Sequence, residues 1–218
     1  MQNEQITSVI FDMDGLMFDT ERVYVEAWDY AGAKAGIGKA GYLVYKTLGM
    51  NSQATRKVLD EEFPNGYDKT GLEYYTKTFL EKYFLENGVP IKAGLYELLS
   101  FLKENNYKIA VASSTTEQGV RKNLEDVKMI EFFQVIIGGD MVSHSKPNPE
   151  IYLKACKMLD EKPENCLALE DSKNGLLSAY SAGCKPIMIP DLWQPDEEIE
   201  RIIYAKFMNL SEVIGLLG

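Results

Sequence analysis

The stretch "VIFDMDGLMFDT", residues 9–20, places three aspartates directly behind an apolar run. Asp12, Asp14 and Asp19 follow a segment rich in β-branched and aromatic residues, which predicts a short buried strand. Three carboxylates in this position concentrate negative charge in a chain whose formal net charge is already −10. We therefore expect a site at this strand end, with a metal ion or placed cations that offset the charge.

Composition narrows the class of protein and its partners. The chain has 218 residues, of which 45% are hydrophobic and 26% are charged. These values fit one large α/β domain, or a core domain with a smaller insert. The acidic balance makes nucleic acid an unexpected partner, because phosphate neutralisation needs a basic face. No apolar run reaches membrane-spanning length, so we expect no membrane partner either.

Cysteine usage and the first residues bear on the compartment. The three cysteines, Cys156, Cys166 and Cys184, are odd in number and form no CxxC pair, which favours a reduced, intracellular setting. The first residues, "MQNEQITSVIFD", lack a basic segment and a long apolar stretch, so we expect no signal peptide and a cytoplasmic location. Nothing in the sequence requires more than a monomer.

The chain alternates between apolar, β-branched runs and helical patterns. Five runs predict short buried strands, at 7–11, 108–113, 134–139, 166–171 and 185–190. Helical patterns accompany the later runs, at 94–106, 116–127, 148–160 and 172–183. This alternation predicts crossover connections and a parallel sheet, whose functional sites form at the carboxyl ends of the strands.

Residues 20–88 interrupt this rhythm. They contain few strand-like runs, and their Ala, Glu, Lys, Tyr and Leu residues recur at helical spacings. Gly88 and Pro90 punctuate the return of the chain. The pattern predicts a helical insert at 20–88 within a core formed by 1–19 and 89–218.

Polar groups follow four of the predicted strands. Beyond Asp12 and Asp14, they comprise the hydroxyl run 113–116, Lys146 and the pair Glu170-Asp171. Carboxylates from two strands can hold a hard cation such as Mg²⁺, which prefers oxygen ligands. Hydroxyl and N–H groups at a strand-to-helix turn can bind phosphate, and one lysine adds a point charge. Aspartate can act as a nucleophile or as a general acid and base.

Each of these residues also has a structural explanation. Asp19, the hydroxyl run 113–116 and the segment 170–172 can all serve as turns or helix N-caps. Lys146 and His144 can be solvated loop residues, and the cysteines can be small core residues. The functional interpretation fails only if all of these explanations hold at once, in order, around one edge of a sheet.

Four segments together resemble the motifs of the haloacid dehalogenase superfamily. They are "FDMDGLMFDT", "ASST", "SKPNPEIY" and "ALEDSKNGLLSAYSAG", in that order along nearly the whole chain. The subgroup they resemble most comprises the β-phosphoglucomutase and sugar-phosphatase-like hydrolases. The resemblance implies a Rossmann-like α/β core with a parallel sheet and an inserted α-helical cap.

The resemblance also implies roles for the residues. Asp12 is the expected nucleophile, and Asp14 is the expected acid and base. Ser113, Ser114 and Lys146 are expected to bind the phosphoryl group. The expected Mg²⁺ ligands are Asp12, the backbone carbonyl of Asp14 and Asp171, with Glu170 in or next to the coordination shell. Asp19 is expected to support the loop.

Departures from the mutase pattern lie in the cap. Tyr24 stands where the mutase has a histidine, and Ser52 lies near the position of an arginine that grips the distal phosphate. Thr115-Thr116-Glu117 also lacks the asparagine that often follows the serine motif. We therefore expect a Mg²⁺-dependent phosphatase of a small phosphorylated metabolite, such as a sugar phosphate or a nucleotide monophosphate.

Two alternatives remain at this stage. One is a phosphomutase, and the other is a non-catalytic phosphate-sensing or interaction protein on the same fold. The cap sets the choice of substrate, and our candidates for substrate contact there are Tyr24, Lys46, Asn51 and Arg56.

Overall fold

The computed structural model describes residues 6–218. The first five residues of the stretch on which we based the absence of a signal peptide, which also begin the predicted core range, lie outside the described residues. Among the helices of residues 6–218, none is both long enough and apolar enough to cross a bilayer. The expected cytoplasmic location and monomeric state stay predictions.

Six parallel strands form one sheet at the centre of the fold, in the order β3-β2-β1-β4-β5-β6. The strands are β1 Ser8–Phe11, β2 Lys108–Ala112, β3 Val135–Ile137, β4 Cys166–Glu170, β5 Lys185–Met188 and β6 Ala205–Lys206. The first five agree with the predicted runs to within two residues at each end. We did not predict β6, because two residues carry no recognisable pattern.

Helices cover both faces of the sheet. Alternate strand residues point to opposite faces, so Val9 and Phe11 pack in one apolar cluster and Ile10 packs in the other. The helices of the core are α5 Leu95–Glu104, α6 Glu117–Asp126, α7 Glu150–Leu159, α8 Lys173–Ser181, α9 Glu197–Glu200 and α10 Ile214–Leu217. Helices α5 and α6 pack with the first cluster, and α7 and α8 with the second. The predicted Rossmann-like architecture is confirmed.

The helical cap lies in the chain between β1 and α5. It contains α1 Thr20–Lys34, α2 Val44–Thr47, α3 Ser52–Glu62 and α4 Lys69–Asn87. These helices have a small apolar cluster of their own, which includes Ala31, Leu43, Leu59 and Leu72. The predicted inserted α-helical cap is therefore present, with the short helix α2 as an addition to the expected pattern.

Two linkers that run side by side join the cap to the core. The Asp19 N–H donates to the Pro90 carbonyl at 2.9 Å, and the Lys92 N–H donates to the Met17 carbonyl at 2.9 Å. Helix α4 ends at Asn87, and Gly88 follows with a φ of 73°. These contacts support domain boundaries near 19/20 and 88/89, which stay predictions.

Candidate active site

The carboxyl ends of four neighbouring strands bring the predicted site residues together. Asp12 follows β1, Ser113 follows β2, and Asp171 follows β4, while Lys146 reaches the same place from the loop after β3. The side chains of all four are more than 90% buried. Burial of this many charged groups demands mutual pairing or a bound ion.

Lys146 is the electrostatic centre of the site. Its ammonium group donates to Asp12 Oδ1 at 2.5 Å, to Glu170 Oε1 at 2.7 Å and to the Ala112 carbonyl at 2.9 Å. Burial alone would lower the pKa of Lys146, but the charges of Asp12 and Glu170 outweigh it and raise that pKa. Lys146 is therefore a permanent buried cation with all three donors in use, rather than a solvated loop residue.

Glu170 holds the other side of Lys146. Its Oε1 also accepts a hydrogen bond from the buried Tyr152 hydroxyl at 2.6 Å. Its Oε2 accepts from the Ser172 hydroxyl at 3.1 Å, and Gly175 lies so close to this carboxylate that any added Cβ would overlap it. Because both oxygens already have partners, Glu170 is better suited to support the site from behind than to ligate a metal directly.

Asp12, Glu170 and Asp171 form an acidic cluster in which one oxygen of each lies within 4.8 Å of the others. Asp171 Oδ1 is buried and has no hydrogen-bond partner among residues 6–218. Burial and the charge of Asp12 raise the pKa of Asp171 well above its ordinary value. Burial likewise raises the pKa of Asp12 to about 8, although Lys146 opposes the shift. This excess of buried negative charge fits a divalent cation.

Asp14 lies beside this cluster with its carboxylate held by hydroxyl groups. Oδ2 accepts from Thr115 at 2.8 Å and from Ser113 at 3.4 Å, and Oδ1 accepts from Thr20 at 3.3 Å. Burial raises the pKa of Asp14, against these hydrogen bonds. A carboxyl group with a raised pKa next to another carboxylate is suited to carry a proton. The predicted coordinating role of the Asp14 carbonyl stays a prediction.

The hydroxyl run after β2 does several things at once. Ser113 is buried, and its Oγ accepts a hydrogen bond from the Thr115 N–H at 3.0 Å. Ser114 points toward the cap and donates to the Gly49 carbonyl at 3.0 Å. Thr116 caps α6 by accepting from the Gly119 N–H. The capping explanation thus applies to Thr116, whereas Ser113 and Ser114 face the site and the cap.

A cavity of about 1080 Å³ lies between the cap and the core, with Asp12 and Asp14 in its wall. Of the cap candidates, Tyr24 and Arg56 line it. Lys46 and Asn51 are not among the described residues that do: Lys46 pairs with Glu62 at 2.7 Å, and Asn51 caps α3 by accepting from the Ala54 N–H. The structure thus engages Lys46 and Asn51 within the cap.

Glu21 is a cavity residue that we did not predict. It lies in the first turn of α1 and lines the cavity with Tyr24. Burial and the nearby charges of Asp14 and Asp12 raise the pKa of Glu21 to about 8. The sequence signal was its place one turn before Tyr24 on a helix that begins at the site, because residues three apart share a helix face.

Asp19 and Asp191 belong to a second charged group at the linkers. Asp19 precedes α1 without capping it, and contacts Arg22 at 3.3 Å and Lys92 at 3.2 Å. Arg22 and Lys92 also contact Asp191 at 3.0 and 2.7 Å. Asp191 follows β5, so extending the strand-end argument to the fifth strand would have identified it. This group ties both linkers to the core, which agrees with the supporting role expected of Asp19.

The remaining candidates have structural roles. His144 lies on an exposed loop, and its ring is 3.1 Å from Glu150. Cys156, Cys166 and Cys184 are free and buried in the cluster on the α7 face of the sheet.

Known proteins share this sequence pattern and fold. Residues 9–189 match the sequence model of the haloacid dehalogenase-like hydrolases. A phosphorylated carbohydrates phosphatase of Thermotoga maritima is 33% identical over 182 residues, which cover 83% of each protein. Hexitol phosphatase B of Escherichia coli O157:H7 is 28% identical over 220 residues, which cover 98% of each. The solved structure of a β-phosphoglucomutase of Clostridium difficile has a TM-score of 0.75 at 23% identity, over 96% of this chain and 93% of its own.

The family match covers most of the chain and includes the strand ends from Asp12 to Asp171 that form the site. The predicted resemblance is confirmed. The chain belongs to the haloacid dehalogenase-like hydrolase family, within its sugar-phosphatase-like subgroup of phosphoric monoester hydrolases.

Proposed function

We propose that this chain is a Mg²⁺-dependent phosphatase that hydrolyses a small metabolite carrying one phosphate, through an aspartyl phosphate on Asp12. The observation that carries the proposal is the Asp12 carboxylate, which lies in the cavity wall and is held against Lys146 at 2.5 Å. Asp14 is beside it with a raised pKa, and Asp171 has an unpartnered buried oxygen among the described residues.

In the first step, a carboxylate oxygen of Asp12 attacks phosphorus while the bond to the ester oxygen breaks. Asp14 donates its proton to that oxygen, and the leaving group departs as a neutral alcohol. Lys146 and the Ser113 hydroxyl offset and orient the negative charge of the phosphoryl oxygens, which is the main requirement of phosphoryl transfer. The products of this step are the alcohol, an acyl phosphate on Asp12 and an ionised Asp14.

In the second step, water attacks phosphorus and Asp14 accepts its proton. The bond between phosphorus and the Asp12 oxygen breaks, which releases inorganic phosphate and restores the Asp12 carboxylate. Asp14 is thereby returned to its protonated form, ready for the next ester. The cap covers the cavity, so it limits entry of bulk water and selects the leaving group.

A divalent cation fits the acidic cluster on the chemistry of its donors. Asp12 and Asp171 offer carboxylate oxygens, and Asp14 follows in the same loop. Mg²⁺ prefers oxygen ligands and keeps positions for phosphate oxygens, so it would supply charge neutralisation at the transferring group. Glu170 would support this shell through its contact with Lys146 rather than join it.

The cations of the cavity wall favour a substrate with a single phosphate. Arg56, Lys69, Lys77 and Lys122 line the cavity, and each pairs with a carboxylate, namely Glu73, Asp60, Glu81 and Asp126. These exposed pairs add little stability. They do leave a second phosphate on the leaving group facing acids as well as cations, and Ser52 offers it a hydroxyl rather than a charge.

This arrangement favours hydrolysis over the phosphomutase alternative, which needs a bisphosphate held at both ends. The presence of Asp12, Asp14, Ser113, Lys146 and Asp171 in one cluster also disfavours a non-catalytic, phosphate-sensing protein.

Replacement of the nucleophile should abolish the reaction. We expect Asp12→Asn to eliminate phosphate release from a panel of sugar phosphates and nucleotide monophosphates in the presence of Mg²⁺, because an amide cannot form the acyl phosphate. Circular dichroism should confirm the fold. The matched control is Asp60→Asn on the exposed surface of the cap, which should retain activity. Full activity in Asp12→Asn would refute the mechanism.

Magnesium should stabilise the folded protein. At a hundredfold excess over Kd, binding adds about 2.7 kcal/mol, which corresponds to a rise of roughly 5–10 °C in Tm for a chain of this size. EDTA should reverse the rise. Asp171→Asn should lose most of it, whereas Asp60→Asn should keep it. A rise of equal size in wild type and Asp171→Asn would place the cation elsewhere.

Bisphosphates should be poor substrates. We expect kcat/KM for glucose 6-phosphate to exceed that for glucose 1,6-bisphosphate by about tenfold, the factor that corresponds to 1.4 kcal/mol. Glu73→Gln, which frees Arg56 from its carboxylate partner, should narrow this ratio. Glu86→Gln, also on α4 but outside the described cavity wall, is the control. Preference for the bisphosphate, or isomer formation without phosphate release, would favour the mutase.

A further inference from the structure

The loop after β2 carries three successive hydroxyl side chains that point to different partners. Ser113 lies in the phosphate site, and Ser114 donates to the Gly49 carbonyl of the cap. Thr115 turns back to Asp14 and donates to its Oδ2 at 2.8 Å. Of the three hydroxyl contacts to this carboxylate, the one from Thr115 is the shortest, since those from Thr20 and Ser113 are 3.3 and 3.4 Å long.

The backbone of Thr115 is fixed on both sides. Its N–H donates to Ser113 Oγ at 3.0 Å, and its carbonyl accepts from the Gly139 N–H at 2.8 Å. Gly139 begins the short helical turn after β3, so Thr115 is anchored to the ends of two strands. A hydroxyl on so constrained a backbone has a fixed direction, which is the property needed to orient another side chain.

We propose that Thr115 is a positioning residue that holds the Asp14 carboxyl group in the direction from which it exchanges a proton with the leaving group. This inference rests on the proposed phosphatase function. Both side chains lie in the cavity wall, so the contact is made at the surface that meets the substrate. Thr20 holds the other oxygen of Asp14, and the two hydroxyls together define the plane of the carboxyl group.

The consequence is a dependence on the leaving group. A misdirected Asp14 slows esters whose leaving oxygen needs a proton, and it has less effect on esters whose leaving group departs readily as an anion. Phenyl phosphate and p-nitrophenyl phosphate have nearly the same shape but differ in this respect. Their kcat/KM values report the steps up to release of the phenol, before the aspartyl phosphate is hydrolysed.

The experiment compares these two esters in three variants with Mg²⁺ present. Thr115→Val should lower kcat/KM for phenyl phosphate about tenfold more than for p-nitrophenyl phosphate, whereas Thr115→Ser should retain the wild-type ratio. The matched control is Thr116→Val, the same chemical change one residue later. It removes the N-cap of α6 and should lower Tm without changing the ratio.

The outcomes separate the two proposals. If wild type releases phosphate from neither ester nor from the metabolite panel, the phosphatase function itself is refuted. If wild type is active and Thr115→Val lowers kcat/KM for both esters equally, or for neither, the positioning role of Thr115 is refuted and the phosphatase function stands.

Discussion

The contact between Lys146 and the carboxylates of Asp12 and Glu170 is the interaction on which the rest of the site depends. An ammonium group with no exposed surface is tolerated only because three acceptors surround it. The same contact fixes Asp12 at the end of β1 and draws the loop after β3 over the sheet edge. Removal of any one partner would leave a buried charge without compensation, so the catalytic geometry and the stability of this edge are inseparable.

Negative charge at the site exceeds what Lys146 can balance, and that excess explains the chemistry. The raised pKa values of Asp12 and Asp171 reflect buried carboxylates that repel one another. A divalent cation and an incoming phosphate would resolve this together, since the cation offsets the charge that the phosphate adds. The cap contributes mainly neutral and internally paired groups to the cavity, which leaves recognition of the phosphate to the core and recognition of the leaving group to the cap.

Strand-end reasoning predicted the core of this arrangement because a parallel sheet brings the ends of its strands to one edge. It therefore placed Asp12, Ser113 and Asp171 together, and motif resemblance added Lys146 and the inserted helical cap. The contact from Tyr152 to Glu170 was beyond reach, since it depends on how α7 is rotated against the sheet. The different directions of Ser114 and Thr115 follow from backbone torsions that residue type does not reveal. Lys46 and Asn51 were chosen by position alone, and their partners depend on how the cap helices pack.

The central claim is that the phosphoryl group passes through Asp12, and chemical trapping tests it most directly. Acyl phosphates are reduced by borohydride, which would convert the phosphorylated aspartate to homoserine. Protein quenched during turnover with Mg²⁺ and a substrate from the metabolite panel should then contain homoserine at position 12 when its peptides are analysed by mass spectrometry, with Asp14 unchanged. Turnover without any modification at Asp12, or with the modification at Asp14, would contradict the account.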